Sequence, residues 1–280
     1  MQLKYSRVNF YLKKAGRFII GAFLILIFFI PFYWMLLTAI KSLSEVLEYP
    51  PSFWVSNPQW VNFKTALEEM DFFHYLKNSI IITVGVLLMQ LITMVPAAYA
   101  FAKYEFKGKT LSFGVVLAST MIPAQLIFLP VFLICTKLGL INTYWGIILP
   151  QATSAMGIFM LRQNFMQVPQ ELIEAARLDN AGEFKIMFRI MLPMAKGTIA
   201  ALMLMNFIST WNDYFWVKVL TTNSTVRTLP VGVAELSANE LGGYQNVIMA
   251  ANILMLLPVL IAFLLAQKQI MKAFSYTGVK

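Results

Sequence analysis

Charge is the first thing that this 280-residue chain lacks. Asp, Glu, Lys and Arg supply 12% of its residues, where ordinary soluble domains carry about 25%. Cysteine and histidine occur once each. The lone Cys135 excludes an intrachain disulfide and a cysteine metal site, and its place in an apolar run marks it as a packing residue. The lone His74 argues against a paired-histidine zinc site or a histidine-based catalytic triad, and reads as an interfacial residue. A glycine-rich phosphate loop, the pattern GxxxxGK(S/T) and any internal repeat are all missing, so the chain has no Walker site with which to hydrolyse ATP.

What fills the chain is apolar: 59% of residues are hydrophobic. A membrane helix needs about 20 apolar residues in succession. Five runs without a charge meet that length, at 18–40, 78–102, 110–136, 138–161 and 241–267. A sixth, 198–217, carries only Asp213 near its far end. The expected fold class is therefore an all-α integral membrane protein with six transmembrane helices, at about 18–40, 78–102, 110–135, 144–161, 198–217 and 246–267. The first run follows Lys13, Lys14 and Arg17 as a secretory signal would, but its length and the lack of an A-x-A site predict a retained helix.

The excess of Lys and Arg gives a net charge of +9. No basic patch is interleaved with aromatics, so the excess speaks for topology and anionic membrane lipids rather than nucleic acid. Of the 22 basic residues, 16 fall in the N-terminal tail, 103–109, 162–196 and the tail after residue 267. The remaining 6 lie on the other side, which places both termini in the cytoplasm by the positive-inside rule. The outer loop 41–77 holds Trp54, Trp60 and three prolines, and reads as short structure resting on the membrane surface.

The cytoplasmic stretch 162–197 is far longer than the loop 103–109 and has its own helical punctuation. Pro169 suits a first helical position, with Glu171 and Glu174 near the positive end of the dipole. Asn180 falls where a left-handed residue would end this helix. Gly182 caps the next, with Glu183 in its first turn. Phe184, Met187, Phe188 and Met191 form an apolar stripe, and Leu192-Pro193 ends the helix. Two short helices unable to bury both their faces would project a surface toward a partner with a groove.

The row EAARLDNAGEFKIMFRIMLP resembles the EAA motif of ABC-importer permeases, with Glu174, Ala175, Ala176, Ile190, Leu192 and Pro193 in register. The motif's glycine is Asn180 here, a residue that tolerates the same positive φ. The segments AAYAFAKYEF, MIP at 121–123, LGLINTYWGIILP, MLRQNF, STWNDYF and TLPVGV are similar to the maltose and multiple-sugar branch of that family. The resemblance implies a type I importer fold, a homologous second permease subunit, two ATP-binding subunits that bind the ATP, and an extracytoplasmic sugar-binding protein. It implies no catalytic residue and no cofactor or metal in this chain. The helix at 174–179, Glu174 to Asp179, would then couple to an ATPase groove, together with Asn180, Ile190, Leu192 and Pro193.

An ordinary amphipathic loop helix would explain the periodicity of this stretch but not the ordered motifs elsewhere. An ion-coupled secondary transporter would need intramembrane ionisable groups, and Asp213 is the one candidate; an intramembrane enzyme would need a constellation the spans do not supply. An amino-acid or peptide importer is the nearest rival within the family. For a sugar path, the polar residues of the apolar runs are the candidates: Gln125, Gln151, Asn206, Trp211, Asn212 and Asp213. Interhelical hydrogen bonds are the competing role for each. Pro96, Pro123, Pro130, Pro150 and Pro258 are expected to break or kink their spans.

Overall fold

The computed structural model describes residues 2–238 and 244–275, and no strand occurs among them. In chain order the helices are α1 (Gln2–Ala39), α2 (Leu43–Leu47), α3 (Val61–Glu69), α4 (Phe72–Lys103), α5 (Lys109–Ser119), α6 (Phe128–Lys137), α7 (Tyr144–Ile148) and α8 (Ala155–Met166). They continue with α9 (Gln170–Leu178), α10 (Glu183–Ile186), α11 (Leu192–Met194), α12 (Lys196–Trp211), α13 (Phe215–Leu220), α14 (Leu229–Ala238) and α15 (Gln245–Ser275). The chain divides into two compact units, 1–70 with 236–254 and 71–235 with 255–280.

In the first unit, the most apolar 18-residue window of Gly16–Ala39 in α1 has a mean hydropathy of 2.5 and contains no buried residue, whereas Leu37, Thr38 and Ala39 at the helix end are buried. A helix that is apolar all round and packed on no side is soluble only in lipid or against a partner. Its end is closed by two asparagines. Asn62 Nδ2 donates to the carbonyls of Ala39 and Lys41, each at 2.9 Å, which a helix terminus leaves without intrahelical partners. Asn246 Nδ2 adds bonds to Lys41 O and Asn62 Oδ1, both at 3.2 Å. The loop that follows forms the expected short structure, α2 and α3, with Trp54 and Trp60 exposed.

The second unit is built around α4. Ile82, Val86, Gln90, Met94 and Ala98 of this helix are buried, while Ile80, Val84, Leu88 and Ile92 are exposed. Aliphatic side chains on the outer stripe, where a soluble helix would carry polar ones, make a surface suited to lipid or to an apolar partner. The later half of α4 joins one core with Leu161 and Phe165 of α8 and with Ile173, Ile186 and Met191. The earlier half joins another with Cys135, Ile147, Val217 and Val231. Cys135 is buried there as a free thiol, in the packing position expected of it.

Among the described residues three helices are long and apolar enough to cross a membrane: Gly16–Ala39, Phe72–Lys103 and Gln245–Gln267. Counting each bent pair as one span gives up to five. The pair Tyr144–Gln151 and Ala155–Met166 bends by 46° at the break 152–154, just after the 3₁₀ turn Leu149–Gln151 that holds Pro150. The pair Glu183–Met194 and Lys196–Trp211 bends by 81°. Within the third apolar run the helix is divided in two, at one of the prolines expected to break or kink its span. α5 and α6 have 11 and 10 residues, each about half the length a membrane core requires. Between them lies Pro123, which has no N–H to continue a helix, followed by the 3₁₀ turn Ala124–Leu126. Pro130 falls in the first turn of α6, where a missing N–H costs nothing, and Pro96 and Pro258 lie inside helices that continue through them.

Candidate functional site

The loop between α8 and α12 has its two-helix form, with differences in detail. Pro169 is the N-cap of α9 rather than its first helical residue, because its ψ is 137°. The cause is tertiary: Val168 is buried and its carbonyl accepts from Lys103 Nζ at 2.7 Å, which holds the entry extended. Glu171 lies in the first turn, but Glu174 is fifth of the nine residues of α9, beyond the reach of the helix end that was expected to favour its charge.

At the other end the sequence expectation holds. Asn180 has φ 54°, Ala181 N–H bonds to Ala176 O at 2.9 Å and Asn180 N–H bonds to Arg177 O at 3.0 Å. These are the two bonds of a Schellman stop with asparagine in glycine's place. Gly182 caps α10 with ψ 158°, as expected.

The second helix does not end at Leu192-Pro193. It runs to Met194 through a π turn, Met187–Met191, in which Leu192 N–H reaches Met187 O. The widened turn just ahead of Pro193 accommodates a ring that would otherwise clash with the preceding turn. The apolar stripe also differs from the expected one. Ile186, Met187 and Met191 are buried, whereas Phe184 is 76% exposed and Phe188 56%. The segment carries two overlapping apolar stripes, and packing against Ile173 selects one of them.

The loop is fastened to the second unit at several points. Ile173 is wholly buried, which stabilises the docked position of α9 by about 1.5–3 kcal/mol. Arg162 Nε donates to Phe101 O at 3.1 Å, and its guanidinium lies 4.2 Å from the Phe113 ring centre. Tyr99 Oη donates to Glu183 Oε2 at 2.6 Å, and Arg177 Nε donates to Glu183 Oε1 at 3.0 Å. Partial burial works against the Glu183 charge. Hydrogen bonds from Tyr104 and Tyr99 and the charge of Arg177 outweigh it, and hold the carboxyl below the usual carboxylate range.

Of the residues singled out from the motif, Glu174, Ala175, Asp179, Asn180 and Pro193 are exposed, and Ala176, Ile190 and Leu192 pack partly against the core. The outward surface also carries Leu172, Leu178, Phe184 and Phe188. Sequence reasoning missed Ile173, Arg177 and Tyr99. Glu183 was read only as a first-turn acid, and a bond to a tyrosine 84 positions away leaves no local signal.

Of the six polar residues singled out in the apolar segments, Gln151 and Asp213 are joined to each other and the other four are not joined to them. Gln151 Nε2 donates to Asp213 Oδ2 at 3.1 Å, and Trp216 N–H donates to Asp213 Oδ1 at 3.1 Å. Gln90 Nε2 donates to Gln151 O at 3.0 Å and Thr93 Oγ1 to Ala152 O at 2.8 Å, so α4 satisfies carbonyls at the bend before α8. Trp211 is buried away from this cluster and donates to Met255 O at 3.2 Å. Asn212 is exposed and donates to Ile208 O at 2.8 Å. Gln125 is exposed on its 3₁₀ turn, and Asn206 Nδ2 is buried without a partner.

Comparison with known proteins places these features in a family. Residues 94–276 match the family described as binding-protein-dependent transport system inner membrane component. The arabinooligosaccharides transport system permease protein AraQ of Halalkalibacterium halodurans is 33% identical over 203 residues, 72% of each chain. The diacetylchitobiose uptake system permease protein NgcG of Streptomyces coelicolor is 30% identical over 86% of this chain and 80% of its own. A crystal structure of a bacterial ABC transporter that imports the acidic polysaccharide alginate contains a chain with a TM-score of 0.79 and 27% identity, covering 89% of this chain and 95% of that one.

Proposed function

This chain belongs to the family of inner membrane components of binding-protein-dependent transport systems, and from that premise we propose that it forms half of the path of an ATP-driven carbohydrate importer. It is a multi-pass membrane protein and a transport subunit, without an ATPase site of its own. The observation that carries the mechanism is the surface of the α9–α10 loop. Leu178 is 84% exposed beside Glu174 and Ala175, on a helix whose opposite side is fixed by the buried Ile173. An exposed apolar helix face between charged residues calls for a groove on another protein.

In this reading two ATP-binding subunits supply the groove and the ATP, and their closure moves α4 and α12 through the loop. A homologous second permease subunit covers the unburied apolar helices, α1 first, and an extracytoplasmic sugar-binding protein delivers the cargo. The chain spans a bacterial plasma membrane six times with both termini in the cytoplasm, α5 and α6 together serving as the third span. No nucleic acid takes part. A carbohydrate cargo is supported by the saccharides named for its relatives and by the amide and carboxylate groups at Gln151 and Asp213, which match sugar hydroxyls.

The test is uptake into proteoliposomes holding the complete complex, with arabinooligosaccharides and diacetylchitobiose as probes. Uptake that requires internal ATP and survives an ionophore is expected. Uptake that follows an imposed ion gradient without ATP would overturn the proposal. Topology is tested in parallel with single cysteines at positions 48 and 185 in a Cys135→Ser background. An impermeant thiol reagent should label only position 48 in intact cells.

A further inference from the structure

Glu183 shares its two carboxylate oxygens between two different parts of the second unit. Oε2 accepts from Tyr99 on α4 at 2.6 Å, and Oε1 accepts from Arg177 on α9 at 3.0 Å. The Schellman stop at Asn180 makes this geometry: reversing the chain over 179–182 brings the start of α10 back beside the last turn of α9. Tyr99 is itself buried between Ala98 and the loop residues of the same core, with its ring edge on Tyr104 at 5.7 Å. A charged acceptor at 2.6 Å from a buried phenol is a far stiffer link than the exposed Arg177–Glu183 pair, so the firmer of the two bonds is the one to α4.

We infer that Glu183 is a positioning residue that clasps α9 to α4, so that displacement of α9 by a docked ATP-hydrolysing partner is carried into the membrane helix without slip. The inference rests on the proposed docking of α9, and it names the element that passes the motion on. Ile173 alone gives non-directional packing, which resists separation but allows sliding. The clasp supplies the direction, because it fixes the first turn of α10, and through the Asn180 turn and Arg177 the end of α9, to a single hydroxyl on α4. Arg177 and Glu183 lie on the two sides of the turn, so the clasp also ties α9 to α10.

The experiment measures the distance between spin labels at Gln170→Cys, the start of α9, and Leu88→Cys, on the exposed face of α4, in a Cys135→Ser background. Both positions are exposed. The whole complex is used in nanodiscs, at rest and trapped with ATP and vanadate. In the otherwise unaltered chain the distance should be the same in the two states. Tyr99→Phe, which keeps the ring in the core, and Glu183→Gln should leave the resting distance unchanged. In the trapped state each should shift it beyond the width of the resting distribution, while the ATPase copurifies as before.

The double variant should shift it no further than either single one, because both remove the same link. A distance that changes with ATP in the unaltered chain, or that stays fixed in both variants, overturns the clasp. A changed resting distance in Tyr99→Phe also overturns it, since the bond would then hold the fold and not the motion. Failure of the docking premise reads differently, as loss of the ATPase from the unaltered complex.

Discussion

Gln151 donates to Asp213 across 62 positions of sequence, joining the bend before α8 to the break after α12. The same carboxylate caps the chain at Trp216 N–H. Asp213→Ala would leave Trp216 N–H without an acceptor and Gln151 Nε2 with only its 3.4 Å bond to Ile147 O, at a cost of about 1–3 kcal/mol for a buried group. It should lower the melting temperature of the purified complex and reduce uptake. Asp213→Asn keeps one acceptor oxygen and should lie between. Equal melting curves for Asp213→Ala and the unaltered chain would show that the two breaks are held by other contacts.

Asn180 occupies φ 54°, which glycine adopts freely and a β-branched residue resists. Asn180→Gly should match the unaltered chain in uptake at equal membrane abundance. Asn180→Val should cost about 1–2 kcal/mol and reduce uptake. Valine transporting as well as glycine would contradict the turn geometry.

Two glycines of the second unit should differ in tolerance. A Cβ on Gly146 would lie 2.2 Å from the backbone carbonyl oxygen of Leu140, whereas one on Gly85 would lie 2.6 Å from the terminal Cδ1 of Ile148. Gly146→Ala should destabilise by about 1–3 kcal/mol, because backbone must move. Gly85→Ala should cost less, since the end of a side chain can rotate aside. Thermal melts of the two variants side by side decide the point.

The depressed acidity of Glu183 gives a direction for pH. A carboxyl held below its unfolded value contributes stability that is complete above the ordinary glutamate range and is lost as pH falls through the folded value. Melting temperature should therefore fall on acidification below that range. Glu183→Gln should start lower at neutral pH and show less of the acid decline. An identical pH profile in the variant would mean that Glu183 is not strained toward ionisation by Tyr104, Tyr99 and Arg177.

Helix class, the left-handed Asn180 and the Gly182 cap were legible because each rests on local chemistry: apolar length, a tolerated φ, a residue without Cβ. Residues 239–243, at the start of the last apolar run, lie outside the described structure. The apolar stripe of the second loop helix was misread because Phe184 and Phe188 fit the helical period as well as Ile186 and Ile190 do, and only the partner Ile173 distinguishes them. Pro123 was legible as a break in the third apolar run because it lacks an N–H, whereas the 3₁₀ turn that follows it was not. Tyr99 with Glu183, and Gln151 with Asp213, are long-range pairs that one sequence does not reveal.

The proposed mechanism requires α9 to dock on an ATP-hydrolysing partner. Glu174 and Ala175 are exposed on α9, while Ala176 packs partly against the core and is a poorer probe. Glu174→Lys and Ala175→Trp change the outward face alone. The decisive measurement is copurification of the ATP-binding subunits with each variant, alongside ATP-dependent uptake. Both variants should reach the membrane at normal abundance, lose most of the bound ATPase and lose uptake at least tenfold, corresponding to about 1.4 kcal/mol or more of docking energy. Normal ATPase copurification together with full uptake in both variants would contradict the claim.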